Sequence, residues 1–140
     1  MNTNTRTLRI TQTIFVLYAI GLFFFMGRLK PSVGQDTSSQ FLWAVSAIAV
    51  IDPIIGFFIR AAILRRSRSM DAPYQQRLKA WVSGNLVGYA FSLSTCLFAL
   101  VLHMVGARVR WVQVLFGLGI VMLVVQSPGE PPEQQPGPIA

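Results

Sequence analysis

Four long apolar runs, separated by short polar segments, follow one another along the chain. They cover residues 10–26, 41–64, 80–104 and 109–125. Each run reaches the lower limit of about 17 residues for a helix that crosses a hydrocarbon core of about 30 Å. None has the period-two alternation of membrane barrel strands, and lipid offers backbone groups no hydrogen-bond partner. The pattern therefore predicts an all-α polytopic membrane protein, with four transmembrane helices in an antiparallel bundle.

Composition supports this fold class and narrows the chemistry. Of the 140 residues, 53% are hydrophobic and 12% charged, which is more apolar than a small soluble domain can bury. The net charge of +7 does not indicate a nucleic-acid partner, because the basic residues lie between apolar runs. The single cysteine, Cys96, and the single histidine, His103, cannot form a disulfide or a zinc site within one chain. We predict no metal and no cofactor.

Basic residues flanking the first run raise the question of a signal peptide. The run is 17 residues long, whereas the apolar part of a signal peptide has about 7 to 15. Gly27 and Arg28 follow it in place of a small-residue cleavage site. We therefore expect an uncleaved first span.

The distribution of basic residues predicts the orientation. With a cytoplasmic N-terminus, eight Lys and Arg residues lie inside and four outside, which is the bias of cytoplasmic loops. Trp43 and Trp111 fall at outer span ends and Trp81 at an inner one, the pattern of an aromatic belt. We predict both termini inside, in a bacterial-type inner (plasma) membrane. The inner set is Arg6, Arg9, Arg60, Arg65, Arg66, Arg68, Arg77 and Lys79, and the outer set is Arg28, Lys30, Arg108 and Arg110.

Two polar segments lie on the predicted inner side. The loop after the second run contains Arg65, Arg66 and Arg68, and either sets the topology only or binds anionic lipid headgroups. The segment 126–140 holds five of the eight prolines, two glutamates and no basic residue. We predict that this segment is a disordered, Pro-rich tail.

Asp52 is the only acidic residue within an apolar run and falls near the bilayer midplane. Such a carboxylate costs about 2.5 to 3.5 kcal/mol to insert, so it is usually retained for a reason. One interpretation is an ion site that carries a proton or sodium. The other is a helix N-cap, with a second half-helix beginning at Pro53. The candidate partners at the same depth are Tyr18, Ser92, Ser94 and Thr95.

Two further polar residues lie in the inner halves of these runs. Arg60 follows Asp52 by eight residues, about 12 Å of helix rise, and we expect it to extend to the cytoplasmic interface. Asn85 is expected to hydrogen-bond between helices.

Small residues recur every four positions along the third run. Such a ladder lets another helix approach closely, and the partner is either the second span or a second copy of the protein. The ladder consists of Ala80, Gly84, Gly88, Ser92 and Cys96.

No set of nucleophile, base and orienting group is evident. His103 lies near the outer surface, at a different depth from Asp52, and is expected to be an interfacial side chain. Cys96 and Ser94 have no histidine beside them. We predict no enzymatic activity.

Residues Asp52, Pro53, Ile54 and Ile55 resemble the aspartate and nearby proline in the second helix of the proteolipid c subunits of rotary ATP synthases. The apolar residues 98–102 are similar to the run that follows the carboxylate in four-helix versions. The first run has only Gly21 where that family has a glycine repeat, the fourth has no carboxylate, and the predicted orientation is opposite. The resemblance implies an ion-handling ancestry.

The sequence favours a small integral membrane protein with a structural or accessory role. Its partners would be membrane lipid and a second copy or other membrane subunits. The alternatives are an oligomeric ion-translocating protein that uses Asp52, and an anionic-lipid-binding scaffold.

Overall fold

The computed structural model describes residues 3–30, 38–69 and 71–133, and the described chain is helical apart from its connections and last residues. The helices are α1 (Thr3–Met26), α2 (Ser39–Ser67), α3 (Tyr74–Met104) and α4 (Val109–Val125). The first three are long and apolar enough to cross a membrane, whereas α4 has 17 residues.

Local sequence signals account for the ends of the central helices. The Ser38 hydroxyl caps α2 by accepting a hydrogen bond from Phe41 N at 3.3 Å. The last turn of α2 carries Arg65 and Arg66, whose charges suit the negative end of the helix dipole. Helix α3 begins directly after Pro73, so it starts earlier than its apolar run. Its 31 residues span about 46 Å, more than the hydrocarbon core requires.

Helix α3 is the centre of the structure. It packs against α1, α2 and α4, whereas α1 and α2 do not contact each other within the described residues. Along the α2–α3 interface, the residue numbers of the contact pairs decrease in α2 as they increase in α3. The pairs are Leu64 with Gly84, Arg60 with Gly88, Gly56 with Phe91, and Asp52 with Ser94.

Small residues bring α3 and α4 close together. Gly119 lies against the Cys96 side chain and the Ser92 carbonyl oxygen, and the Cys96 thiol points to the Phe116 carbonyl oxygen at 4.0 Å. An edge-to-face contact between two aromatic rings joins α1 to α4. Phe23 meets the ring of Phe116 at a centroid distance of 5.7 Å.

Two side chains that the sequence places at the membrane interfaces lie inside the bundle. Trp81 is 3% exposed, so it is not part of an inner aromatic belt, whereas Trp43 is 75% exposed. His103 is 7% exposed, and its Nε2 lies 3.1 Å from the Leu29 carbonyl oxygen. The histidine therefore holds the chain after α1 against the end of α3.

The segment after α4 also contacts the bundle. Gln126 is 2% exposed, and Pro128 is buried. Arg77 Nη2 donates a hydrogen bond to the Glu133 carbonyl oxygen at 2.8 Å. The prediction of a disordered tail over 126–140 therefore does not hold for residues 126–133, because Arg60 and Arg77 donate hydrogen bonds to its carbonyl groups. Residues 134–140 lie outside the described residues.

The contact at Gly119 gives a test of this packing. A Cβ there would lie 2.5 Å from Cys96 Sγ and 2.9 Å from the Ser92 carbonyl oxygen. We expect Gly119→Ala to lower the free energy of unfolding by about 1 to 3 kcal/mol, because backbone cannot yield without shifting the helix. Unfolding in mixed detergent micelles, followed by circular dichroism, measures this change.

Gly117 is the matched control on the same helix, because a Cβ built there meets nothing within 4 Å. Gly117→Ala should leave stability unchanged or raise it by up to about 1 kcal/mol through helix propensity. Equal stability of the two variants would contradict the packing described here.

Candidate functional site

Two charged side chains of α2, Asp52 and Arg60, contact α3 from within the membrane-length part of the helix. Both are only partly exposed. Charged groups in such a segment are expensive and mark functional sites by default, so their partners decide what they do.

The Asp52 carboxylate is paired with a hydroxyl of the neighbouring helix. Its Oδ2 accepts a hydrogen bond from Ser94 Oγ of α3. Ser94 Oγ also lies 2.8 Å from the Phe91 carbonyl oxygen of its own helix. The contact thus joins α2 to α3 at the depth of the predicted ion site.

Helix α2 continues without a break through Pro53. An N-cap residue has non-helical backbone angles, whereas Asp52 lies in the middle of the helix. The interpretation of Asp52 as the cap of a second half-helix is therefore wrong. Proline in a helix does not require a break if the surrounding packing holds the chain, and Pro53 is buried.

The other candidate partners of Asp52 lie elsewhere. Tyr18 is 54% exposed and belongs to α1, which does not contact α2 within the described residues. Ser92 Oγ donates to the Gly88 carbonyl oxygen at 3.0 Å, and Thr95 Oγ1 donates to the Phe91 carbonyl oxygen at 3.2 Å. Of the four residues considered, the structure brings Ser94 to the carboxylate.

Arg60 extends across the bundle to α3 and to the chain that follows α4. Its expected position at the cytoplasmic interface stays a prediction. Its Nη2 donates to Asn85 Oδ1 of α3 at 3.0 Å. The same nitrogen lies 3.2 Å from the Ser127 carbonyl oxygen and 3.4 Å from that of Gln126. Arg60 therefore joins three elements: α2, α3 and the chain that follows α4.

The acceptors around Arg60 are neutral, but their dipoles are aligned for a cation. The Gln126 and Ser127 carbonyls follow the last residue of α4, where the helix dipole is negative. The Asn85 amide is oriented by its own contact, because its Nδ2 donates to the Trp81 carbonyl oxygen at 2.8 Å. The expected role of Asn85 in bonding between helices is confirmed.

Gly88 provides the space for this cluster. A Cβ at this position would overlap Gln126 Oε1 and would lie 2.6 Å from Arg60 Cδ. The buried Gln126 side chain then reaches Ser92, whose Oγ lies 3.5 Å from Oε1. The glycine therefore allows both the arginine stem and the glutamine amide to lie against α3.

The ladder of small residues is used within the chain. Gly84 faces Leu64 of α2, Gly88 faces Arg60, and Cys96 faces Gly119 of α4. The N-terminal part of the ladder thus packs against α2, and its C-terminal part packs against α4.

The three arginines proposed to bind lipid headgroups lie at the C-terminal end of α2. Arg65, Arg66 and Arg68 are exposed, which leaves their charges accessible. Lipid binding by them stays a prediction.

The sequence did not predict the contacts that Arg60 makes, and it did not mark Gln126 as a buried residue. The signal for Arg60 was its position inside an apolar run, five residues before Arg65, where any arginine is a candidate functional residue. No comparable signal marked Gln126, because it opens a segment whose composition is that of a solvated tail.

The chain matches no protein-family model, no curated protein and no solved structure. The resemblance to proteolipid c subunits therefore stays a prediction. Function has to be inferred from the geometry of the chain itself.

The Arg60 cluster can be tested by removing the guanidinium. We expect Arg60→Met to lower the free energy of unfolding by about 1 to 3 kcal/mol, because the Asn85 and carbonyl acceptors lose a charged donor. The variant should also increase maleimide labelling of a cysteine placed at Ser127, measured in the folded state in detergent.

Arg66→Met is the control, because Arg66 is exposed near the end of the same helix. It should leave both stability and Ser127→Cys labelling unchanged. If Arg60→Met and Arg66→Met behave alike, the Arg60 contacts do not hold the segment after α4.

Proposed function

We propose that the chain is a small integral membrane protein with a structural or accessory role and no enzymatic activity. One observation carries this proposal: the charged side chains within the spans are held by neighbours in the same chain. Asp52 contacts Ser94, and Arg60 contacts Asn85 and the segment after α4. Such contacts stabilise a bundle without requiring a substrate.

The proposed topology is an antiparallel four-helix bundle with both termini inside, in a bacterial-type plasma membrane. The contact pairs between α2 and α3 run in opposite directions, which supports a helical hairpin. The predominance of basic residues on the predicted inner side supports the orientation.

Helix α4 is included as the fourth span. Its 17 residues correspond to about 26 Å, at the lower limit for crossing the hydrocarbon core. Arg60 contacts the chain just after α4, about two turns before the last residue of α2. The inner ends of α2 and α3 would therefore extend past α4, and residues 127–133 would lie along them as far as Arg77.

His103 and Cys96, whose side chains could take part in catalysis, make packing contacts within the bundle. His103 contacts the Leu29 carbonyl oxygen, and Cys96 is buried against Gly119. Asp52 contacts Ser94, which precedes His103 by nine residues of α3, about 13 Å, and Cys96 faces α4 and not Asp52. This separation supports the absence of an acid–base or nucleophilic centre within the described residues.

A second candidate function is ion translocation by an oligomer. It is favoured by the position of Asp52, which is partly exposed, lies within an unbroken helix and is not used as a cap. Against it, a cation that leaves Asp52 towards the inside would pass the positive charge of Arg60, about 12 Å away along α2. We therefore rank the structural role first.

Labelling with a hydrophobic carbodiimide distinguishes these two functions. For a structural Asp52, we expect no sodium-sensitive labelling in reconstituted protein, because the carboxylate binds Ser94 and not an exchanging ion. Mass spectrometry of the α2 peptide locates any adduct, and Asp52→Asn is the control for reaction elsewhere. Labelling at Asp52 that sodium or high pH suppresses would support the ion carrier and contradict the structural role.

The orientation predicts the location of both chain ends. A reporter fused after Ala140 should be active as a cytoplasmic fusion, and one inserted at position 34, in the connection between α1 and α2, as an external fusion. Green fluorescent protein and alkaline phosphatase report the two locations. An external C-terminal reporter would contradict the proposed topology.

A further inference from the structure

A groove lies at the end of the bundle opposite the Arg60 cluster, where α2 and α4 begin. It encloses about 340 Å³. Its lining is mostly apolar, with two serine hydroxyls and one cation. The lining residues used below are Leu42, Trp43, Ser46, Arg108 and Trp111.

Trp111 has a fixed place in this groove. Its Nε1 donates to Ser46 Oγ of α2 at 3.0 Å, across the gap between the two helices. Because the indole has no other hydrogen-bonding group, a ligand in the groove would contact its apolar ring. Trp43 is more exposed and lies on the α2 side of the groove.

Arg108 brings positive charge to the apolar surface. It is exposed and immediately precedes α4, whose first turn has no acidic residue. The positive end of the α4 dipole therefore adds to the guanidinium charge. The two predicted outer connections and the first turn of α4 contain four basic residues and one acidic residue, Asp36, so their net charge also favours an anion.

The position of the groove depends on the proposed function, which places the starts of α2 and α4 at the outer membrane surface. Tryptophans at that level lie among lipid headgroups. A volume of about 340 Å³ is that of a small-molecule site. It suits the headgroup end of one lipid and the first part of an acyl chain.

We propose that this groove binds a phospholipid with an anionic headgroup. The phosphate lies beside Arg108, and one acyl chain follows Leu42, Trp43 and Trp111. A free phosphate ion would make no use of the apolar lining, and an uncharged lipid would make no use of Arg108. The combination of an apolar wall and a cation at its rim therefore selects this class of ligand.

Fluorescence quenching tests the assignment in reconstituted protein. The Trp43→Phe variant retains Trp111 in the groove and the buried Trp81 at the other end of α3. It is placed in vesicles of brominated phosphatidylglycerol with plain phosphatidylcholine, and in the reverse mixture. We expect the quenching to show a preference of about fivefold for phosphatidylglycerol, the effect of one arginine near the surface.

Three further variants, each made in the Trp43→Phe protein, distinguish lipid binding in the groove from attraction of lipid by general surface charge. Arg108→Gln should abolish the preference, whereas Arg110→Gln should keep it, because Arg110 is an outer arginine that does not line the groove. Ala107→Phe should fill the groove and reduce quenching by both lipids. Circular dichroism checks that each variant retains its helices.

The outcomes distinguish this proposal from the proposed function. Equal quenching by the two lipids, or equal effects of Arg108→Gln and Arg110→Gln, would overturn the groove assignment alone. No quenching by either lipid would overturn the membrane placement together with the groove. A preference that is lost with Arg108 and retained without Arg110 supports the proposal.

Discussion

The Arg60 guanidinium requires hydrogen-bond acceptors inside an apolar bundle, and the arrangement of α2, α3 and the segment after α4 depends on that requirement. Lipid supplies no acceptors, so the protein provides the Asn85 amide and two carbonyl groups just after α4. Gly88 leaves the space in which the arginine stem and Gln126 lie against α3. One charged side chain thus positions three elements.

Between Arg60 and the starts of α2 and α4, close contacts of α3 with its neighbours hold the bundle together. Gly119 brings α4 against α3, and Asp52 meets Ser94 on the other side of that central helix. The first contact is van der Waals packing, whereas the second is a hydrogen bond to a charged group, which is the stronger kind. Beyond these contacts the groove at Trp111 lies between the starts of α2 and α4.

The two ends of the bundle are therefore unlike. At the end where α3 begins, hydrogen bonds from Arg60 and Arg77 hold the segment after α4 against the helices. At the end where α2 and α4 begin, Trp111 donates a hydrogen bond to Ser46, and an apolar surface remains open beside Arg108. The closed end, where α3 begins, suits a structural role, and the open end, where α2 and α4 begin, suits recognition of an amphipathic molecule.

The sequence by itself determined the all-helical class, the central parts of the helices and the ladder that includes Gly88, because helical hydrophobicity and small-residue spacing are local properties. It also marked Asp52 and Asn85 as residues that need partners. Only the tertiary structure decided that Asp52 meets Ser94 and that Arg60 reaches the carbonyls after α4. These pairings depend on how the helices are rotated and shifted against one another, and the composition of a single helix does not specify that arrangement.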